Sequence, residues 1–203
     1  MTTILKITED DYEDALIIAN DMLRSGAVII YPTDTVYGIG GDATAPEVVE
    51  RIYRIKGITD RRPLSVMMAG SDMIEYYCET GIWEDIILRK HLPGPYTFVL
   101  GLRHPLPATS TKKLGIRIPD SVFCQRLCEK FGRPIITTSA NATSKRPPAS
   151  FEAIDRGIID AADLAIDGGP TKYGAASVVI DLVERKLIRE GGETISLIEL
   201  PQP

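Results

Sequence analysis

Apolar residues recur along this chain at two spacings. Between residues 8 and 25, Tyr12, Ala15, Leu16, Ala19, Met22 and Leu23 return every three or four positions, the period of an amphipathic helix. Thr8 stands at its start as a cap, Glu9, Asp10 and Asp11 bring negative charge to the first turn, and Gly26 ends it. A second helix is predicted over 45–56, opened by Pro46, with Val48, Val49, Ile52, Tyr53 and Ile55 turned inward. Further helices are predicted at 71–79, 83–91, 120–131 and 151–160. The other pattern is short continuous apolar runs bounded by Gly, Pro or polar residues. It predicts strands in "AVIIY" (27–31), "LSVMM" (64–68), "YTFVLGL" (96–102), "GIRIP" (115–119), and at 134–139 and 163–166. "ASVVIDL" (176–182) and "KLIRE" (186–190) follow closely enough to pair as a hairpin. Strands and helices mix without strict alternation, so the expected fold is α/β or α+β, built on a twisted sheet of mixed direction. No repeat, linker or low-complexity stretch divides the sequence, and residues 1–203 read as one domain.

Composition narrows this little. The 203 residues are 44% hydrophobic and 25% charged, ordinary for a soluble chain able to bury one large core. Cys78, Cys124 and Cys128 are too few for a disulfide scaffold, and with no signal-peptide pattern they point to a reducing, cytoplasmic setting. No run reaches the roughly 18–20 apolar residues of a membrane span, so no membrane association is expected. The net charge of −5 is no general attractor of nucleic acid, although basic pairs occur at Arg61-Arg62, Lys112-Lys113 and Lys145-Arg146.

Candidate chemistry gathers where strands run into polar turns. "YPTDTVYGIGGDAT" (31–44) has glycines at 38, 40 and 41, which permit positive φ or close approach to a ligand, and puts Thr33 and Thr35 on one side of an extended segment. It is neither a dinucleotide fingerprint nor a P-loop, and a plain structural turn explains it equally well. Lys56 closes a helix, where a lysine complements the dipole, yet Lys56, Arg61 and Arg62 within seven residues also make a dense anion site. Arg117 interrupts the apolar strand "GIRIP": it either faces solvent on an edge or points a guanidinium at a carboxylate in a pocket. "IITTSANATS" (135–144) starts apolar and delivers Thr137, Thr138, Ser139 and Asn141 at one tip. No metal-ligand spacing accompanies the two histidines, His91 and His104, and Cys124 and Cys128, one helical turn apart, read as core thiols.

Taken in order, "YPTDTVYGIGGDA", "IYRIKG", "RPLSVM", "LPGPYTFVL", "GIRIPD", "TSAN", "DGGP", "GAASVVIDL" and "LIREGG" resemble the YrdC-like family of threonylcarbamoyl-AMP synthases over about residues 10–195. The resemblance implies a mostly antiparallel sheet flanked by helices around a deep basic cavity. It implies condensation of L-threonine, bicarbonate or CO2 and ATP, carried with Mg²⁺, into threonylcarbamoyl-adenylate and pyrophosphate. A downstream threonylcarbamoyl transferase complex would then modify tRNA. By position, Lys56 and Arg62 are the catalytic candidates. Lys56, Arg62, Lys113, Ser139, Asn141 and Arg189 fall at nucleotide-binding positions, and Thr35, Arg117, Thr137 and Ser177 at threonine-binding positions. The sequence departs from the family's Lys-x-Arg pair at Ile58, leaving Arg61 or Arg62 to supply the guanidinium, and Met67 stands where many members have a histidine.

Such chemistry needs no nucleophilic side chain: positioning and charge neutralisation suffice. Two other readings remain open. One is a non-catalytic module binding double-stranded RNA or tRNA, weakly if through a local cavity, although 6% aromatic residues offer little stacking surface. The other is a relative acting on a different carbamoyl donor, as in hydrogenase-maturation carbamoyltransferases.

Overall fold

A computed structural model describes residues 1–8 and 11–192. Its first half runs β1 (Thr3–Lys6), α1 (Glu13–Arg24), β2 (Ile29–Tyr31), β3 (Gly38–Gly40), α2 (Pro46–Lys56), β4 (Val66–Met67), α3 (Ser71–Tyr77), β5 (Cys78–Glu79) and α4 (Ile82–His91). It continues β6 (Tyr96–Leu102), β7 (Lys113–Arg117), α5 (Val122–Phe131), β8 (Ile135–Ile136), β9 (Thr138–Ser139), a 3-10 turn (Phe151–Ala153), α6 (Arg156–Ala161), β10 (Leu164–Asp167), β11 (Val178–Asp181) and β12 (Lys186–Arg189).

The strands form two sheets, ordered β1-β10-β2-β3-β9 and β12-β11-β6-β7-β4-β8, with β5 added beside β6. Six of the ten pairings among the described residues are antiparallel and four parallel, so the expected mixed, mostly antiparallel arrangement is present, divided over two sheets instead of one. β11 and β12 pair as the predicted hairpin.

Why the strands read as unbroken apolar runs is visible in their packing. Val28 and Ile30 face one buried cluster, and Ile29 and Tyr31 face the other. Ile136 and Ile135 divide in the same way, as do Ala165 against Leu164 and Ile166. A strand covered on both faces keeps no polar alternation. The second cluster is closed by Leu16, Ala19 and Leu23 of α1 and by Phe123, Leu127 and Phe131 of α5.

Several predicted boundaries shift. α1 starts at Glu13, so its first-turn acids are Glu13 and Asp14. Thr8 instead closes a turn ahead of it, its hydroxyl accepting from the Asp11 amide at 3.1 Å. Glu9 and Asp10 lie outside the described residues. α5 begins two residues later than predicted because Ser121 caps it, accepting from the Cys124 amide. The stretch 151–160 breaks in two where Asp155 caps α6. β1 went unpredicted because its exposed edge position leaves no inward stripe.

The strand expected at 134–139 is a larger correction. β8 belongs to the second sheet and β9 to the first, and the chain changes sheet at Thr137. Thr137 donates its amide to the Ser65 carbonyl on one side, and Ala140 donates to Tyr37 on the other, both at 2.8 Å. β3, read from sequence as a glycine turn, lies against this crossing. A Cβ on Gly40 would sit 1.8 Å from the Ile136 carbonyl oxygen. Gly40 thus serves close approach of two backbones, not of a ligand, and neither it nor Gly38 has positive φ.

Candidate active site between the two sheets

A cavity of about 120 Å³ opens beside this crossing. One water needs about 10–15 Å³ of such space, so the cavity suits an amino acid better than a nucleotide. It draws on both sheets: Gly38, Thr138 and Ser139 from the first, Thr97, Arg117, Val179 and Arg189 from the second. Eight of its sixteen lining residues are Ser or Thr, and its two charged ones are arginines.

Arg117 does not face solvent on an edge. β7 is flanked by β6 and β4, and the side chain is buried, its Nη2 donating to Asp34 Oδ1 at 2.8 Å. The contact is single-pointed: Arg117 Nε and Asp34 Oδ2 are buried without partners. Opposite, Arg189 donates through Nε and Nη2 to the Ser177 carbonyl, and through Nη2 to Ser177 Oγ at 3.1 Å. Burial, and then repulsion from Arg117, lowers the Arg189 pKa, so the two cations share one low-dielectric space. An anion between them relieves that repulsion.

The hydroxyls form two paired sets. Thr33 and Thr35 share a hydrogen bond of 3.0 Å, and Thr33 also donates to the Val36 carbonyl, fixing the turn. Thr97 and Ser177 share one of 2.8 Å across adjacent strands. Thr137 lines the cavity from the crossing itself. Thr35, Arg117, Thr137 and Ser177, far apart in sequence, therefore meet around one space, together with Ser139 and Arg189.

The remaining candidates stand elsewhere. Lys56 is buried behind the 139–143 loop. Its ammonium donates to the Ser139 carbonyl and, at 2.8 Å, to that of Asn141, while its own carbonyl accepts from the Thr143 amide and hydroxyl. Burial, then the Arg62 charge, pushes its pKa down to about 8. The Asn141 side chain donates to the Ala142 and Lys145 carbonyls, and its Oδ1 is buried without a partner. Arg62 sits at the surface beside the 139–143 loop, contacting Asp60 at 3.2 Å and Thr143 Oγ1 at 3.5 Å. Arg61 is turned away, bound to Glu50 and stacked on Tyr53. Of the two arginines, Arg62 is the one beside the Ser-Ala-Asn loop. Ile58 is buried in the core and Met67 lies in the helix-covered cluster. Lys113, at the far end of β7 from Arg117, is bound by Asp181 and Glu184 and does not line the cavity.

Sequence reasoning missed Ser65, Thr97 and Asp34. For the first two a signal existed. Each is a lone polar residue inside an apolar strand segment, as Arg117 is. Among the described residues, no group of three or more His, Cys, Asp and Glu is placed to hold a metal, and no helix is long and apolar enough to cross a membrane.

Residues 21–191 match the sequence model of the Sua5/YciO/YrdC family, described as "Telomere recombination". A relative from Methanocaldococcus jannaschii is 32% identical over 93% of this chain and 91% of its own. A threonylcarbamoyl-AMP synthase from Pyrococcus abyssi is 33% identical over 98% of this chain, which spans only 60% of that relative's length. The crystal structure of P. abyssi Sua5 complexed with L-threonine superimposes with a TM-score of 0.88 at 31% identity, covering 94% of this chain and 58% of that one. With the model matching most of its length, and the fold and sequence agreeing with these relatives, the chain belongs to the Sua5/YciO/YrdC family.

Proposed function

We propose that this protein is a threonylcarbamoyl-AMP synthase, joining L-threonine, bicarbonate or CO2 and ATP into threonylcarbamoyl-adenylate with release of pyrophosphate. The observation that carries the reading is the amino-acid-sized cavity, with two arginines and eight Ser or Thr residues in its wall. Arg117 meets the threonine carboxylate. Thr35, Thr137 and Ser177 offer hydroxyls to the substrate's hydroxyl and amine, orienting it without added charge. ATP lies over the mouth, reached by Ser139 and Arg189 from the wall, by Asn141 from the adjoining loop, by Arg62 beside that loop and by Lys56 at the end of α2 beneath it. Magnesium arrives with the nucleotide phosphates as part of the substrate.

The neutral threonine amine adds to CO2 with release of a proton to solvent, or to bicarbonate with loss of water. The carbamate oxygen so formed then bonds to the α-phosphorus as the α–β bridging P–O bond breaks and pyrophosphate leaves. The protein's contribution is orientation and neutralisation of phosphate charge. The product passes to a downstream transferase acting on tRNA, in the cytoplasm. Any tRNA held by the synthase itself binds weakly and with strong salt dependence, because a small cavity contacts few phosphates.

The test is pyrophosphate release from ATP with bicarbonate and a panel of amino acids. Threonine supports it, serine does so more weakly, and valine does not, because valine has no hydroxyl to hydrogen-bond to Thr35, Thr137 or Ser177 and so is not oriented by them. Valine turnover equal to that of threonine overturns the assignment.

A further inference from the structure

Asp34 takes no part in the reading above, yet among the described residues it is the one acid ion-paired with a cation of the cavity. Its side chain is fully buried and touches Arg117 at 2.8 Å. Its position is fixed from outside: its carbonyl accepts from the Tyr173 amide at 2.9 Å, and its neighbours Thr33 and Thr35 are hydrogen-bonded to each other. Arg117 and Arg189 are the charged residues of the lining. With Asp34 counted, the cavity carries one net positive charge instead of two. Long-range fields act on ligand choice through such sums, most strongly where water is excluded.

We propose that Asp34 is a specificity determinant: by neutralising Arg117 it fits the cavity to a monoanionic carboxylate and excludes inorganic phosphate and pyrophosphate. The match is with threonine in its reactive form, a carboxylate beside a neutral amine. A phosphate dianion would require both guanidinium groups uncompensated. The ions touch at one point, Nη2 to Oδ1, which leaves Arg117 Nε and Asp34 Oδ2 buried and without a hydrogen-bond partner. The carboxylate thereby cancels charge without enclosing the guanidinium, which stays in the cavity wall. This role rests on the cavity being the amino-acid site.

The experiment is calorimetric titration of Asp34→Asn and the unmodified protein with inorganic phosphate alone, and with threonine in the presence and absence of phosphate. The amide keeps the shape of the side chain and removes its charge. Asp34→Asn is expected to bind phosphate at least tenfold more tightly than the unmodified protein, with phosphate displacing threonine only in the variant. Equal phosphate affinity in the two proteins overturns the proposal. A role confined to folding would lower thermal stability without creating phosphate affinity. Should Asp34→Asn fail to fold, Ala176→Lys adds a cation to the lining without touching the ion pair. The same tenfold gain is expected, and its absence overturns the charge-balance argument. The phosphate titration is independent of substrate identity, so an unmodified protein that ignores threonine refutes the functional reading alone.

Discussion

Two groups of basic residues lie within this molecule, and they are built on opposite principles. Arg117 and Arg189 come from strands of the second sheet, more than seventy residues apart in sequence, and each is held by a buried partner, Asp34 or Ser177. Arg61 and Arg62 are adjacent in sequence, more than half exposed, and paired with surface acids. The dense local cluster is what a sequence displays most plainly, yet the pair assembled by folding has its geometry fixed before any ligand arrives. Preorganised charge in a dry site is worth far more than mobile charge in water. Lys56 stands between these extremes, local in sequence but buried, and it spends two of its three donors on the backbone of the loop it supports.

The largest expected contrast is in stability. Arg117→Met leaves Asp34 buried without a counter-charge and should cost about 3–5 kcal/mol. Arg62→Met, at the exposed surface, should stay within about 0.5 kcal/mol of the unmodified protein. Denaturant unfolding of both variants measures the difference, and equal midpoints would erase the distinction between the two groups.

A smaller contrast concerns ATP. Lys56→Ala and Arg62→Ala should each weaken it by about 1.5–3 kcal/mol, the loss of a charge-assisted contact. Only Lys56→Ala should also lower the melting temperature, because it alone releases the 139–141 carbonyls. Normal ATP affinity in Arg62→Ala would remove the idea that Arg62 substitutes for the guanidinium that the family pattern places at position 58. Lys113→Ala serves as a comparison and should change ATP affinity least of the three, since Asp181 and Glu184 already hold that ammonium.

The smallest effect is a pH dependence. Lys56 carries a pKa of about 8 against 10.5 for an unburied lysine, so the unfolded chain binds more protons between these values. The destabilisation from burying its charge is therefore fully present below about pH 8 and is relieved as pH rises towards 10.5. ATP affinity should run the other way. A bound polyanion raises the Lys56 pKa, so binding takes up a proton above about pH 8 and weakens there. Titrations at pH 7, 8 and 9 in two buffers of different ionisation enthalpy read the proton directly. Affinity that does not fall between pH 8 and 9 would detach Lys56 from the nucleotide.

Much of the fold was legible because buried faces impose periods that survive in the sequence. α2, β6 and the β11–β12 hairpin appear close to where their patterns place them. What escaped depends on partners distant in the chain. β1 is an exposed edge strand, β3 is three residues of Gly-Ile-Gly, and the division of 134–139 is set by which sheet each half pairs with. The site divides in the same way. Thr35, Thr137, Ser177, Arg117 and Arg189 were named as candidates by family position, and folding brings them around one cavity. Asp34 was missed because nothing in "PTDT" indicates that its side chain meets an arginine 83 residues away.

The crossing at Thr137 carries a consequence for cooperativity. Because the cavity takes walls from both sheets and its seam from the residue where the chain passes between them, neither sheet alone offers a partly formed version of it. Ligand binding is then coupled to whole-molecule unfolding and not to fraying of one edge. A saturating ligand, at about a hundred times its Kd, should add close to 2.7 kcal/mol to global stability. The Thr137 and Ala140 amides should exchange with solvent only when the entire protein opens, and the bound substrate would act as a rivet through two sheets that already share one core.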